Sequence, residues 1–156
     1  MSVYVWRIAT EARTYPASDL SGTGAKISGG RWNSAGVPLV YCAGSVSLAV
    51  LETLSHFQTG DLPYNRCVVR VDIPGDVWSR RIELVPLPGG WDVIPHGISS
   101  CASGDAWVAS MASALLVVPS AIVPEDRNVL INPAHPDSTR ITATTVRKWM
   151  YDPRLL

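Results

Sequence analysis

The pattern of apolar and polar positions starts with a strand. Val3-Tyr4-Val5-Trp6-Arg7-Ile8 is rich in β-branched and aromatic residues, the composition of a pleated, half-buried segment. A polar, glycine-containing loop is expected from about Thr10 to Gly30, then a second strand over Val37–Tyr41, with Pro38 near its start where proline is tolerated. The period changes at Ser45. In SVSLAVLETLSHFQ, Leu48, Leu51, Leu54 and Ser55 recur at three- and four-residue spacing, which predicts a helix over 45–58. Ser45 or Ser47 can cap it, and Gly60 lies just past its end. Cys67–Ile73 alternates again, with Cys67, Val69, Val71 and Ile73 on one face and Val68, Arg70 and Asp72 on the other.

Regular patterning fades between Pro74 and Ser103, where Pro86, Pro88 and Pro95 fall among several glycines, as in many binding loops. A short helix is expected over Asp105–Ala114. Strands are expected over Leu115–Val118, Ala121–Val123 and Val129–Ile131, with Glu125–Asn128 a polar turn. The tail around Val146 and Trp149 fits a last helical turn or a strand. These elements imply one α+β domain over residues 1–156, with a β-rich core and a few helices.

Composition narrows the function classes. The 156 residues are 47% hydrophobic and 17% charged, which describes a globular chain. Thirteen basic and thirteen acidic residues cancel. That balance argues against direct nucleic-acid or anionic-membrane binding and favours a protein partner. Cys42, Cys67 and Cys101 are too few and too scattered for a disulfide framework, and the N-terminus has no signal-peptide pattern. A cytoplasmic location is expected. No metal site is expected, because His56, His96 and His135 are isolated from one another and from the cysteines. No P-loop, G-x-G-x-x-G or G-x-S-x-G pattern is present.

What remains is a set of polar residues in apolar surroundings: Arg7 inside the first strand, Arg31 between glycines and Trp32, Tyr41 at a strand end, Glu52 on the helix, and Ser120 and Asn132 after later strands. Each alone has an ordinary structural explanation. Together, in the runs GGRWNSAGVPLVYCAGSVSLAVLET and GDAWVASMASALLVVPSAIVPEDRNVLINPAHPD, they strongly resemble the RES domain, named for an arginine, a glutamate and a serine. The resemblance extends from Tyr4 to about Ile141 and makes the chain a single RES domain.

Membership would imply a fold like that of the ADP-ribosyltransferase toxins. It would also imply a type II toxin that consumes NAD+ by cleaving the nicotinamide–ribose bond, paired with an Xre-like helix-turn-helix antitoxin. The ADP-ribose would pass to water, phosphate or a host protein. On that resemblance Glu52 faces the reacting ribose, Tyr41 stacks on nicotinamide, and Arg31 and Arg7 meet the pyrophosphate, with Trp32, Ser47 and Asn132 in support. Ser120 matches the family serine, with Ser99 and Ser100 as alternatives, and His56 lies one turn after Glu52. The rival reading is a non-catalytic module that regulates transcription with its antitoxin.

Overall fold

The computed structural model describes residues 1–58 and 60–156. Seven strands form its sheet: β1 (Ser2–Thr10), β2 (Val40–Ala43), β3 (Arg66–Pro74), β4 (Ile82–Glu83), β5 (Leu115–Pro119), β6 (Arg127–Ile131) and β7 (Thr142–Trp149). Among the described residues four α-helices accompany them: α1 (Thr23–Ser28), α2 (Val46–Leu54), α3 (Gly75–Ser79) and α4 (Ile98–Ser110). The strand order is β4-β5-β6-β2-β1-β3-β7, antiparallel except for β4 beside β5, and the fold is α+β.

One junction differs from the rest. β1 pairs with β3 along its full length, from Ser2↔Pro74 to Thr10↔Arg66. β2 likewise pairs along its length with β6, from Val40↔Ile131 to Ala43↔Asn128. Between β1 and β2 the register contains only Trp6↔Ala43. The sheet therefore splits at its centre, leaving Arg7 and Ile8 facing Cys42 and Tyr41 across a gap that no ladder closes.

Packing follows the split. One face of the sheet is a continuous core in which Val5, Val40, Cys42, Val69, Val71, Leu115, Val117, Val129 and Ile131 pack together. The opposite face carries two separate clusters. In one, Leu48, Ala49 and Val50 of α2 cover Ile8, Val68 and Tyr151. In the other, Trp32 and Trp107 cover Leu116, Val118 and Leu130.

Several boundaries differ from the expectations, each for a local reason. The second strand runs over 40–43 rather than 37–41, because Asn33 Nδ2 donates to the Val37 carbonyl and the Val37 amide to the Ser34 carbonyl, holding that segment in a turn. α2 is capped by Ser45, whose side chain accepts from the Leu48 amide, but it stops at Leu54. Thr53 and Ser55 turn their hydroxyls back onto the Val50 and Glu52 carbonyls, competing with the helix. Its buried face is Leu48-Ala49-Val50, while Leu51 is 40% exposed.

Residues 121–123 form no strand; Ser120 Oγ accepts from the Ile122 and Val123 amides and folds the chain back. β6 begins at Arg127, inside the expected polar turn. α4 starts at Ile98 rather than 105. Its buried face is Ser100, Gly104 and Trp107, helical in spacing but with Trp107 its one large apolar residue, so the pattern alone does not announce it. Short elements α1, α3 and β4 occupy stretches expected to be loop. The tail is a strand, after which Tyr151 tucks under α2, with its hydroxyl 2.6 Å from Thr53 Oγ1. No helix among the described residues is long and apolar enough to cross a membrane.

Candidate active site

A cleft of about 190 Å³ opens where the sheet splits. Its walls are Trp6, Arg7 and Ile8 of β1, Tyr41, Cys42 and Ala43 of β2, Ala49, Glu52, Thr53 and His56 from α2 and the turn after it, and Asn128 of β6. The single register pair between β1 and β2 creates the space, and the Ser45 cap fixes the helix that covers it.

Glu52 is anchored there through one carboxylate oxygen. Its Oε1 accepts from Ser120 Oγ at 2.7 Å and from Asn128 Nδ2 at 2.8 Å. Its second oxygen has no hydrogen bond among the described residues. Of the three candidate serines, Ser120 touches Glu52. Ser99 Oγ donates to the Gly89 carbonyl, and Ser100 Oγ is buried without a partner among the described residues.

Tyr41 is fixed from its hydroxyl end. The oxygen accepts from the Trp32 amide at 3.0 Å and donates to Asn33 Oδ1 at 2.6 Å. Burial pushes this phenol far above its usual range, so it stays neutral. The glycine-rich turn explains the approach: a Cβ on Gly30 would lie 2.7 Å from the Tyr41 oxygen and 3.1 Å from Asn33 Oδ1. Gly30→Ala is therefore expected to push the Tyr41 ring out of place. It should lower stability by about 1–3 kcal/mol, the usual cost of overpacking. Urea unfolding with near-ultraviolet circular dichroism checks both; an unchanged tyrosine signal would contradict the close approach.

Arg7 reaches out of β1 to donate to the Asp19 carbonyl at 3.0 Å and contributes the cleft's cation. Arg31 does not line the cleft. Its Nη1 donates to the carbonyls of Trp91 (2.8 Å) and Val93 (2.9 Å), tying the glycine turn to the 85–97 loop. Trp32 is 2% exposed and stacks on Trp91. Ser47 is exposed on the first turn of α2. Asn132 is fully buried, donating to the Val108 carbonyl and accepting from the Ala134 amide, at the other end of β6 from the cleft.

Two thiols near the site are quiet: burial raises Cys42 to about 12, against the opposing field of Arg7, and burial also raises Cys101, whose Sγ donates to the Gly30 carbonyl. Among the described residues, no three His, Cys, Asp or Glu side chains group as a metal site would require.

Sequence reasoning brings Arg7, Tyr41, Glu52, His56 and Ser120 to this region and misses Trp6, Thr53 and Asn128. Asn128 reads as part of a polar turn. The signal that could have found it is its place immediately before the apolar run Val129–Ile131, next to the buried part of β6.

The RES domain family matches residues 4–153. A protein of Sphingobium sp. (strain YBL2), named "Prs ADP-ribosylating toxin", is 54% identical over 158 residues, covering 100% of this chain and 98% of the relative. A "Toxin Res" of Photorhabdus laumondii subsp. laumondii is 40% identical, covering 85% of each chain. Another, from Yersinia enterocolitica, is 35% identical, covering 92% of this chain and 94% of the relative. The chain belongs to the RES-domain family.

Proposed function

We propose that the protein is a toxin that breaks the nicotinamide–ribose bond of NAD+ and passes the ADP-ribosyl group to an acceptor. The observation that carries this reading is the Glu52 carboxylate, held through one oxygen and open through the other, in a cleft lined by an aromatic ring and a cation. The 54%-identical relative, named an ADP-ribosylating toxin, supports transfer.

The residues fit the substrate's chemistry. Loss of nicotinamide builds positive, oxocarbenium-like charge on the ribose. The free oxygen of Glu52 accepts from ribose hydroxyls and stabilises that charge. The cleft's volume of about 190 Å³ is below the roughly 300–1,000 Å³ of whole-ligand pockets. It suits the nicotinamide riboside end, with Tyr41 as the stacking surface, while the rest of the dinucleotide lies toward the surface. Arg7 and the uncommitted nitrogens of Arg31 meet the phosphates. Trp32 and Asn132 then act as scaffold, and Ser47 and His56 sit at the rim.

The step balances as NAD+ plus H–X giving ADP-ribosyl–X, nicotinamide and a proton, where X comes from water, phosphate or a protein. On the same reading the chain acts in the cytoplasm and is kept inactive by an Xre-like helix-turn-helix antitoxin that covers the cleft.

The test is incubation of the purified chain, freed of any partner, with NAD+, with and without phosphate, and with labelled NAD+ in cell lysate. Release of nicotinamide with ADP-ribose, its phosphorylated form or a labelled protein is the expected result and identifies X. Intact NAD+, unlabelled lysate and harmless expression of the chain alone would overturn the reading in favour of a non-catalytic binding module.

A further inference from the structure

We infer that Asn128 is a positioning residue for Glu52, which it holds jointly with Ser120; only the rate readout of this inference rests on the NAD+ chemistry proposed above. The argument starts at Ser120. Its hydroxyl oxygen accepts from the Ile122 and Val123 amides, each at 3.1 Å. The one hydroxyl proton is thereby aimed at Glu52 Oε1, 2.7 Å away. A single donor still lets a carboxylate swing about that bond. Asn128 Nδ2 supplies the second donor to the same oxygen at 2.8 Å. Two donors, one after the end of β5 and one near the start of β6, fix the plane of the carboxylate and leave Oε2 for the cleft.

The amide's other half points the same way. Asn128 Oδ1 is buried with no hydrogen-bond partner among the described residues. A buried acceptor left unpaired costs free energy, and folded proteins keep few of them. An asparagine kept for stability alone would have both ends satisfied, as Asn132 and Asn33 do. The strand does not depend on the side chain either, because Asn128 pairs with Ala43 and Val118 through the backbone register.

Asn128→Leu keeps the size of the side chain, removes the donor to Glu52 and removes the orphaned acceptor. Nicotinamide release, thermal melting and the Glu52 side-chain carboxyl carbon resonance are measured in wild type and variant. The expected result is a kcat loss of roughly 10–100-fold, the scale of a misplaced reacting group. KM for NAD+ should stay within about threefold, because the group acts on the reacting state rather than on binding. The melting temperature should hold and the Glu52 resonance should move or broaden.

An unmoved resonance overturns the inference, as does an unchanged kcat. A raised KM with kcat intact would make Asn128 a direct ligand contact, and a melting drop that accounts for the lost activity would make it structural; either result also overturns it. If wild-type protein releases no nicotinamide, the proposed reaction falls, and the resonance still decides the role of Asn128.

Discussion

Glu52→Gln is expected to remove nicotinamide release by about 10²–10³-fold or more in kcat, the scale of losing one charge-stabilising group from an active site. The fold should be unaffected. The geometry explains why glutamine is the informative change. Its amide oxygen can still accept from Ser120 Oγ and Asn128 Nδ2, so both existing hydrogen bonds survive. The amide nitrogen then occupies the open position and presents a donor where the wild type presents an anionic acceptor. The shape is preserved and the chemistry inverted.

Glu52→Ala is a poorer test, because it strands the buried Ser120 hydroxyl at a cost of about 1–3 kcal/mol, frees the Asn128 amide, and mixes stability with activity. Kinetics and a thermal melt on the same preparation check the expectation. Activity of Glu52→Gln within about threefold of wild type, too small a change for a group acting in the transition state, would remove Glu52 from the reaction.

The split sheet explains why the site is where it is. A continuous ladder between β1 and β2 would place Arg7 and Ile8 against Cys42 and Tyr41 and close the space. With the register reduced to Trp6↔Ala43, the two halves diverge above a shared core on the other face. The cleft thus costs little packing: Val5, Cys42 and Val129 hold the halves together below it. α2 spans the opening, anchored on one side by Ile8 and Val68 and pinned from the tail by Tyr151.

How much of this the sequence discloses depends on which force sets each element. β1, β3 and β5 are legible because hydrophobic burial sets them, and burial leaves period-two alternation or a dense apolar run. The start of α2 is legible because Ser45 is a side-chain cap. Elements set by side-chain-to-backbone hydrogen bonds are not legible in this way. Ser120 cancels an expected strand, Thr53 and Ser55 shorten a helix, and Asn33 delays β2, all by bonds whose partners cannot be read from composition.

The site shows the same division. Glu52, Tyr41, Arg7 and Ser120 stand out as polar residues in apolar runs. Asn128 sits among Glu125, Asp126 and Arg127 and looks like turn chemistry, until strand pairing with Ala43 carries it to the cleft.

Gly104→Ala should be the most damaging small substitution in the chain for stability. Helix propensity alone predicts the opposite sign, since alanine in a helix interior is favoured over glycine by about 1 kcal/mol. Tertiary contact decides otherwise. A Cβ on Gly104 would overlap the Trp32 carbonyl oxygen and lie 2.6 Å from the Trp32 carbonyl carbon. Both are backbone atoms and cannot rotate away, so α4 and the glycine-rich turn must separate.

That turn is tied to α4 at three further points. Cys101 Sγ donates to the Gly30 carbonyl, the Ser34 amide donates to Asp105 Oδ1, and the Ser34 hydroxyl to Asp105 Oδ2. The same turn holds the Tyr41 hydroxyl and, through Arg31, the 85–97 loop. A net loss of about 3 kcal/mol is expected, at the upper end for overpacking, or roughly 6–12 °C in melting temperature for a chain of this size. Activity should fall with it.

Gly24→Ala is the matched control. Gly24 lies in helix α1 with open space where its Cβ would be. The same substitution there should be neutral or stabilising by about 0.4–1 kcal/mol. Urea unfolding of both variants separates the two effects. If Gly104→Ala matched Gly24→Ala, the close approach of α4 to Trp32 would be refuted, and with it the account of how α4 holds the glycine-rich turn that fixes the Tyr41 hydroxyl.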